Sequence, residues 1–190
     1  MKKDFMNAVE FSHHLIKKHL NKDSTLIDAT AGNGKDTLFL AELADQNTEI
    51  LAFDIQKKAV ENTKELLEKN KLGDKVKVIN DSHANLDAYL KEDQLSLVLF
   101  NLGYLPGGDK SIITKAESTL KAVEKSLYFL KKYGIIILVI YKGHQGALKE
   151  QKTLIDFVKK LDYKKYNVLK YEFINQSTEP PEVIAIIRRA

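Results

Sequence analysis

Cysteine is absent from this sequence, and so is any long apolar run. Without cysteine, the chain forms no disulfide bond and no thiolate zinc site. No apolar run approaches the ~20 residues that a membrane-spanning helix requires. The amino-terminal stretch is basic at its start but has no long apolar core and no small-residue cleavage site. We therefore predict no signal peptide and a cytoplasmic location.

The composition is that of a globular protein with a mildly basic balance. The 190 residues are 44% hydrophobic and 29% charged, and the formal net charge is +4. A positive balance favours a polyanionic partner only weakly, because basic surfaces are common. The chain has no internal repeat, low-complexity tract or linker, and its length suits one core. We expect one domain, residues 1–190, with an amino-terminal helical segment at 1–22.

A glycine-bearing turn between a short strand and a helix is the most informative stretch. Residues 25–29 form an apolar run too short for a helix, the sequence Ala-Gly-Asn-Gly interrupts it at 31–34, and a helical pattern follows from Asp36. Glycines in such a unit let the backbone approach a ligand, and the first N–H groups of the helix point at it. A dinucleotide fingerprint needs a small residue where Thr37 stands, so pyrophosphate binding is disfavoured. A tight turn without a ligand is the alternative.

The rest of the chain alternates strand and helix patterns. Helices are predicted at 5–20, 56–71, 114–132 and 148–161, and further strands at 49–55, 76–79, 95–100, 134–141, 164–174 and 183–188. Five strand-then-helix units followed by two strands predict an α/β fold with a seven-stranded, mostly parallel sheet and helices on both faces. The connection between the last two strands is short enough for an antiparallel pair. The loops that follow the strands are expected to share one rim.

The first helical segment carries two adjacent histidines and several lysines. His13 and His14 could each meet a ligand, but the pattern favours one solvated histidine and one packed against the sheet. Lys17, Lys18 and Lys22 fall on the outer face of this segment. These lysines are candidates for phosphate contacts if the partner is a nucleic acid.

The glycine turn resembles the first motif of class I S-adenosylmethionine-dependent methyltransferases. The matching residues are Asp28, at the end of the first strand, and the glycines Gly32 and Gly34. Thr30 stands where many of those enzymes have another glycine. Asp54 ends the second strand, where an acidic side chain can accept hydrogen bonds from both ribose hydroxyls. Capping of the next helix is the alternative role for Asp54.

A loop after the most apolar strand carries the second informative motif. It runs from Asn101 to Lys110 and contains three glycines, one proline and one aromatic residue. Such a loop at the carboxyl end of a buried strand is where α/β sheets place chemistry. It resembles the Asn-Pro-Pro-aromatic motif of amino-group methyltransferases, in which the asparagine and a backbone carbonyl accept hydrogens from the target nitrogen. Leu102 and Gly103 replace the usual prolines.

Five segments together resemble one family. They are DATAGNGKDT at 28–37, AFDIQ at 52–56, FNLGYLPGGDKSIIT at 100–114, YKGH at 141–144, and FINQ with a following PP at 173–181. These segments are similar to the MnmM-type group of bacterial proteins, formerly labelled rRNA methylases. The resemblance implies a class I methyltransferase fold, S-adenosylmethionine as cofactor, and methylation of the 5-aminomethyl group of 2-thiouridine at the tRNA wobble position. Composition and spacing alone indicate only a methyltransferase that acts on nitrogen.

Roles in the reaction are predicted for residues of two loops. Asn101 and the Gly103 carbonyl are expected to orient the amine, and Tyr104 to form a pocket wall. Asp109 and His144 are candidate proton acceptors; a helix cap and a link between two loops are their alternative roles. The predicted RNA-binding residues are Lys110, Asn175 and Gln176, and the predicted cofactor-binding residues are Asp28, Thr30, Gly32, Asn33, Gly34, Asp36, Thr37, Asp54, Gln56, Asp81, Ser82, His83 and Asn101.

Other functions remain open at this point. A methyltransferase acting on rRNA, on a protein or on a small-molecule amine would share these motifs. A non-catalytic RNA-binding domain of the same fold would be expected to have lost Asp54 or the Asn101 loop, and a nicotinamide enzyme is disfavoured by Thr37. The lack of cysteine excludes the usual pyrimidine C5 methylation, which needs a thiolate nucleophile. No metal site and no membrane partner are expected, and a homodimer is left open.

Overall fold

A computed structural model describes residues 4–21, 24–91, 94–107, 112–143, 146–176 and 178–190. Strands and helices alternate along the chain. The strands are β1 (Thr25–Asp28), β2 (Glu49–Phe53), β3 (Val76–Ile79), β4 (Leu95–Leu102), β5 (Leu130–Ile140), β6 (Tyr166–Tyr171) and β7 (Glu182–Arg188). The α-helices are α1 (Ala8–His19), α2 (Lys35–Leu43), α3 (Lys57–Lys69), α4 (Ala116–Phe129) and α5 (Ala147–Val158), and two 3-10 helices lie at Gly73–Lys75 and His83–Tyr89.

The seven strands form one sheet in the order β3-β2-β1-β4-β5-β7-β6. Strands β1 to β5 are parallel to their neighbours, and β7 runs antiparallel to both β5 and β6. The predicted fold class, the seven strands and the antiparallel final pair are confirmed. The order reverses between β1 and β4, and a crevice for ligands opens at such a point beyond the carboxyl ends of the strands.

Helices cover both faces of the sheet, as predicted. One core contains buried side chains of α1, α2 and α3, and the other contains those of α4, α5 and the second 3-10 helix. Strands β1 and β4 are almost entirely buried because both of their faces are covered. This arrangement leaves the loops at the two strand-end rims as the places where a ligand can enter. The single-domain organisation stays a prediction.

Helix α1 begins later than the predicted residue 5 because a capping box fixes its start. The Asn7 side chain accepts a hydrogen bond from the Glu10 N–H at 2.9 Å, and the Glu10 carboxylate accepts one from the Asn7 N–H at 2.9 Å. The reciprocal pair satisfies two N–H groups that a helix would otherwise leave free. Helix α1 thus starts at Ala8.

The helix predicted at 114–132 is wrong at its end. Helix α4 stops at Phe129, and β5 begins at Leu130, which is fully buried and pairs with Leu95 of β4. Pairing resumes only at Ile135, opposite Leu97, so residues 131–134 bulge out of the ladder. A buried leucine at the start of a strand has the same spacing from the preceding apolar residues as one more turn of helix would have. The sequence pattern therefore does not distinguish the two.

No helix among the described residues is both long and apolar enough to cross a membrane.

Candidate active site

The glycine turn between β1 and α2 depends on two left-handed backbone positions. Gly32 has φ +55° and Gly34 has φ +79°. A Cβ on Gly34 would lie 2.9 Å from the Cα of Thr63 in α3, closer than real Cβ contacts allow. Gly34 also precedes α2 directly and has no side chain that could cap the helix. The turn therefore brings backbone and the free N–H groups of α2 to the rim.

Asp28 lies beneath this turn rather than on its surface. Its carboxylate is fully buried and accepts hydrogen bonds from the Thr30 N–H at 3.1 Å and the Thr37 hydroxyl at 2.6 Å. Burial, followed by repulsion from Asp36, raises the pKa of Asp28 to about 7. Asp28 and Thr37 thus shape the turn from inside, and their role in cofactor binding stays a prediction.

Asp54 joins the end of β2 to the same turn. One carboxylate oxygen accepts from the Gly32 N–H at 2.9 Å and the other from the Gln56 N–H at 2.9 Å. Each carboxylate oxygen has a second lone pair, and Asp54 is only half-buried, so it can accept further hydrogen bonds from a ligand. Both predicted roles of Asp54, ribose acceptor and cap of the following helix, are compatible with this position.

The end of β3 carries Asp81 and Ser82, two of the residues predicted to bind the cofactor. Asp81 accepts from the Asn85 side chain at 2.9 Å and from the Ser82 N–H at 2.7 Å, and these bonds, Asn85 first, lower the pKa of Asp81. Ser82 caps the 3-10 helix by accepting from the Ala84 N–H at 3.2 Å. Asp81 is therefore held ionised, as an acceptor of hydrogen bonds.

His83 is a buried link between β3 and β1. Its Nδ1 lies 2.9 Å from the Ala29 carbonyl oxygen, so Nδ1 carries the proton and donates it. Burial lowers the pKa of His83 and keeps the ring neutral. The ring meets Phe100 edge-on, with centroids 5.7 Å apart. The predicted contact of His83 with the cofactor stays a prediction.

Asn101 stands at the carboxyl end of β4 with a fixed side-chain orientation. Its backbone N–H donates to the Thr30 hydroxyl at 2.7 Å, and its Nδ2 donates to an Asp36 carboxylate oxygen at 3.0 Å. Because a carboxylate only accepts, the amide nitrogen must face Asp36 and the amide oxygen must point away from it. Within the described part of the chain, that oxygen makes no hydrogen bond. It is available to a substrate.

Asp36 has a hydrogen-bond partner that no sequence pattern predicts. Nε2 of His13 in α1 lies 2.7 Å from the other Asp36 carboxylate oxygen, and the His13 ring stacks on Phe39 with centroids 3.9 Å apart. His14, the neighbouring histidine, is exposed. The expected solvated histidine is His14, whereas His13 packs against α2 and not against the sheet as expected. No local spacing links His13 to Asp36, since the contact depends on how α1 crosses the sheet.

The loop after β4 lies against the glycine turn. We call its described residues 101–107 the acceptor loop. Asn33 Nδ2 donates to the Pro106 carbonyl at 3.0 Å, and the Leu105 side chain lies 3.5 Å from where a Cβ on Gly32 would stand. The turn and the acceptor loop therefore form one wall of the crevice.

Gly103, the other predicted orienting residue, and Tyr104, the predicted pocket wall, contact the segment that follows the loop. The Gly103 carbonyl accepts from the Thr114 N–H at 3.0 Å, which leaves one lone pair for the predicted contact with the amine. Tyr104 is 42% exposed and pairs with Ile113 as an antiparallel bridge. The role of Tyr104 as a pocket wall stays a prediction.

A buried glutamate missed in the sequence anchors the base of this loop. Glu150 of α5 is 1% exposed and accepts from the Thr114 hydroxyl at 2.8 Å and the Thr119 hydroxyl at 2.6 Å. Glu150 sits on an otherwise ordinary amphipathic helix, so nothing in the sequence marks it.

The roles of several other predicted residues are not tested by the described part of the chain. Asn175 and Gln176 are exposed beyond the end of β6. Asp109, Lys110 and His144 lie outside the described residues, as does Lys22. The roles predicted for all of these residues stay predictions.

The charges around the glycine turn define what the crevice can hold. Three carboxylates, Asp28, Asp36 and Asp54, surround the turn, and the repulsion of the other two contributes to the raised pKa of Asp28. A ligand that brings a positive charge to this place relieves that repulsion. S-adenosylmethionine, with a sulfonium cation and two ribose hydroxyls, has the groups that these acceptors can bind. No group of three or more metal-ligating side chains occurs in the described ranges.

The chain is similar to proteins that are described as methylases or methyltransferases. A family model described as "Putative rRNA methylase" matches residues 50–187. An Arabidopsis thaliana protein named tRNA (mnm5s2U34)-methyltransferase, chloroplastic, is 36% identical over 182 residues, which cover 91% of this chain and 66% of that protein.

Two crystal structures are similar over nearly their whole length. One, from Clostridium thermocellum and described as an rRNA methylase, is 41% identical with a TM-score of 0.94, covering 97% of this chain and 99% of the other. The second, a methyltransferase by its description from Streptococcus mutans, in complex with SAH, is 36% identical with a TM-score of 0.88 at the same coverage.

Proposed function

Because the chain belongs to this rRNA methylase family, we propose that it is an S-adenosylmethionine-dependent methyltransferase that acts on an amine of RNA. The acceptor is the 5-aminomethyl group of 2-thiouridine at the wobble position of tRNA, and the product is the methylaminomethyl group. The name of the Arabidopsis relative supports this acceptor. Its support is partial, because this chain spans 66% of that protein's length.

The orientation of the Asn101 amide is the observation that carries the proposal. Its nitrogen is committed to Asp36, so its oxygen points away from Asp36 and is left as a hydrogen-bond acceptor. An acceptor there suits a substrate nitrogen that has hydrogens to donate, as a primary amine does. The amide oxygen would accept no hydrogen bond from a carbon atom or from a deprotonated oxygen, because neither offers a polar hydrogen. Transfer to nitrogen is therefore the chemistry that this position favours.

The reaction requires the amine to be neutral and aligned. S-adenosylmethionine supplies an electrophilic methyl group on sulfur; the N–C bond forms from the nitrogen lone pair as the S–C bond breaks. Asn101 Oδ1 accepts one amine hydrogen, and the free lone pair of the Gly103 carbonyl accepts the other. With both hydrogens held, the nitrogen lone pair has one direction left. The proton lost from the amine goes to Asp109 or His144, the two predicted acceptors.

The cofactor is held by groups from three strand ends. Asp54 accepts from the ribose hydroxyls, ionised Asp81 accepts from the adenine amine, and the glycine turn passes under the methionine part. Asp28 and Thr37 keep the turn in shape. Asp54, Asp81 and the glycine turn follow the carboxyl ends of β2, β3 and β1, at the same rim of the sheet as Asn101.

RNA recognition draws on the basic surface near the same rim. Lys17 and Lys18 of α1 are exposed, and α1 also supplies His13 to the site. An anticodon loop is single-stranded, so phosphate contacts combine with contacts to a base turned out of the loop. Lys110, Asn175 and Gln176 are the proposed partners on the acceptor side.

Nucleoside mass spectrometry tests the function directly. The purified protein and S-adenosylmethionine are incubated with tRNA that carries 5-aminomethyl-2-thiouridine and, in a second arm, with rRNA, because the family description names rRNA. We expect the wobble nucleoside to gain one methyl group and the rRNA to stay unchanged. Methylation of rRNA with unchanged tRNA would contradict the proposed acceptor.

Asn101→Ala tests the role of the amide. The variant is expected to lower kcat by about 10²-fold, the effect of removing a positioned polar group from a closed site. Affinity for S-adenosylmethionine should change little, since the proposed ribose and adenine contacts come from β2 and β3. Asn47→Ala, an exposed asparagine of the loop before β2, is the matched control. Near-normal turnover by Asn101→Ala would remove Asn101 from the mechanism.

A further inference from the structure

We propose that His13 and Asp36 are positioning residues that hold the Asn101 amide in its productive orientation. We call these two residues the orienting pair. The contacts run from His13 Nε2 to one Asp36 oxygen at 2.7 Å, and from the other Asp36 oxygen to Asn101 Nδ2 at 3.0 Å. This inference rests on the proposed function, in which Asn101 Oδ1 receives the amine hydrogen.

An amide side chain needs such a partner because its two ends are nearly the same shape. Rotation by half a turn exchanges the oxygen and the nitrogen with almost no change in packing. In the reversed orientation Asn101 would present two N–H donors to an amine that must itself donate. A hydrogen bond to a charged acceptor favours one orientation by about ten- to a hundredfold. Asp36 provides that acceptor.

Asp36 in turn needs a partner because it projects from the first turn of α2 at the rim. A carboxylate bound through one oxygen can still rotate, whereas both oxygens of Asp36 are engaged. His13 cannot swing away easily, since its ring stacks on Phe39. The ring also fixes which nitrogen faces the carboxylate. Because Asp36 accepts, Nε2 must carry the proton.

The pair changes the role assigned to Asp36. The sequence places Asp36 among the cofactor-binding residues of the glycine turn. Its observed contacts lead instead to Asn101, on the acceptor side of the crevice. Helix α1 accordingly contributes to the reaction through His13 and is more than a cover for the sheet.

Two substitutions of His13 separate the hydrogen bond from packing. His13→Phe keeps a ring on Phe39 but removes the donor, and His13→Gln can place an amide nitrogen near the position of Nε2. We expect His13→Phe to lower kcat about tenfold, with KM for tRNA and the affinity for SAH changed less than twofold. His13→Gln should recover most of the loss, and His14→Ala, on the neighbouring exposed residue, should match the parent.

A double-substitution cycle tests whether the pair acts through Asn101. Asp36→Ala is expected to lower kcat by about ten- to a hundredfold, the value of a hydrogen bond to a charge. Combined with Asn101→Ala, it should cost nothing beyond Asn101→Ala alone, because the group that it positions is gone. The proposal would be overturned if the losses of kcat in the two single variants multiplied in the double variant. A loss of SAH affinity in Asp36→Ala that matches its loss of kcat would overturn it as well.

A measurement on the free protein separates failure of the inference from failure of the proposed function. The side-chain amide of Asn101 gives a pair of ¹H–¹⁵N signals, assigned by their absence from the Asn101→Ala spectrum. We expect these signals to shift in Asp36→Ala and in His13→Phe, and to stay in place in His14→Ala. If the tRNA is not methylated but the signals shift as expected, only the proposed substrate fails. Unchanged signals in Asp36→Ala and His13→Phe would refute the orienting pair.

Discussion

The glycine turn and the acceptor loop meet in one crevice but are held in different ways. Side-chain hydrogen bonds that hold the glycine turn come from partners 2 to 54 residues away, among them the Thr30 N–H on Asp28, the Thr63 hydroxyl on the Gly32 carbonyl and His83 Nδ1 on the Ala29 carbonyl. The bonds that join the acceptor loop to the turn span 65 to 73 residues. The glycine turn is held by residues that are closer in sequence than those that join the acceptor loop to it.

This difference has a consequence for mutations. Damage to the glycine turn should reach the acceptor loop, because Thr30, Asn33 and Asp36 are its attachment points. Damage to the acceptor loop should leave the turn intact, because the bonds on Asp28 and Asp54 are made without it. Three substitutions on the turn side test this difference.

The largest effect is expected from Gly34→Ala. The new Cβ would lie 2.9 Å from the Thr63 Cα at φ +79°, so overlap adds to backbone strain. We expect the free energy of unfolding to fall by about 3–5 kcal/mol, measured by denaturant titration. Gly107→Ala is the matched control, because Gly107 has the same φ of +79° with nothing within 4 Å of its Cβ. Equal losses in the two variants would show that the approach to α3 is unimportant.

The next effect is a dependence of stability on pH through Asp28. The pKa of about 7 in the folded protein exceeds the ordinary 3.8, so between these values the folded state holds a proton that the unfolded state has lost. Stability from this group is complete below about pH 4 and is lost as pH rises through 7, by about 4 kcal/mol in total. Asp28→Asn keeps the shape and should flatten the profile of unfolding free energy between pH 5 and 8. An unchanged profile would contradict a protonated Asp28.

The smallest of the three expected effects is on ligand binding alone. Asp54→Ala removes the proposed ribose acceptor and should weaken S-adenosylmethionine binding by about 1.5–3 kcal/mol in calorimetry. Because Asp28 still holds the turn from inside, the unfolding free energy should change less than the binding free energy. Asp74→Ala makes the same charge change on an exposed residue at the opposite rim and serves as the control. Unaltered affinity in Asp54→Ala would exclude Asp54 from the cofactor site.

The sequence predicts what depends on local pattern. The glycine spacing around Gly32 and Gly34 indicates the turn, and the apolar runs of β1 and β4 indicate buried strands whose following loops share a rim. The start of β5 escapes prediction because Leu130 fits a helix and a ladder equally well. The contact of His13 with Asp36 escapes it because a helix crossing angle sets that distance. Asp109 and His144 stay predictions.

The position of β7 also sets the order in which the molecule can mature during synthesis. Helix α1 leaves the ribosome first, yet part of its packing surface, Val183 and Ala185, belongs to the strand made last. Strand β6 is joined to the sheet only through β7, and its Tyr171 stacks on Phe11 of α1 at 4.2 Å. A nascent chain that has reached residue 160 contains Asp36 and Phe39, the contacts of His13, but lacks the β6 and β7 surface on which α1 also packs. Helix α1 can therefore complete its packing only after β7 has been made.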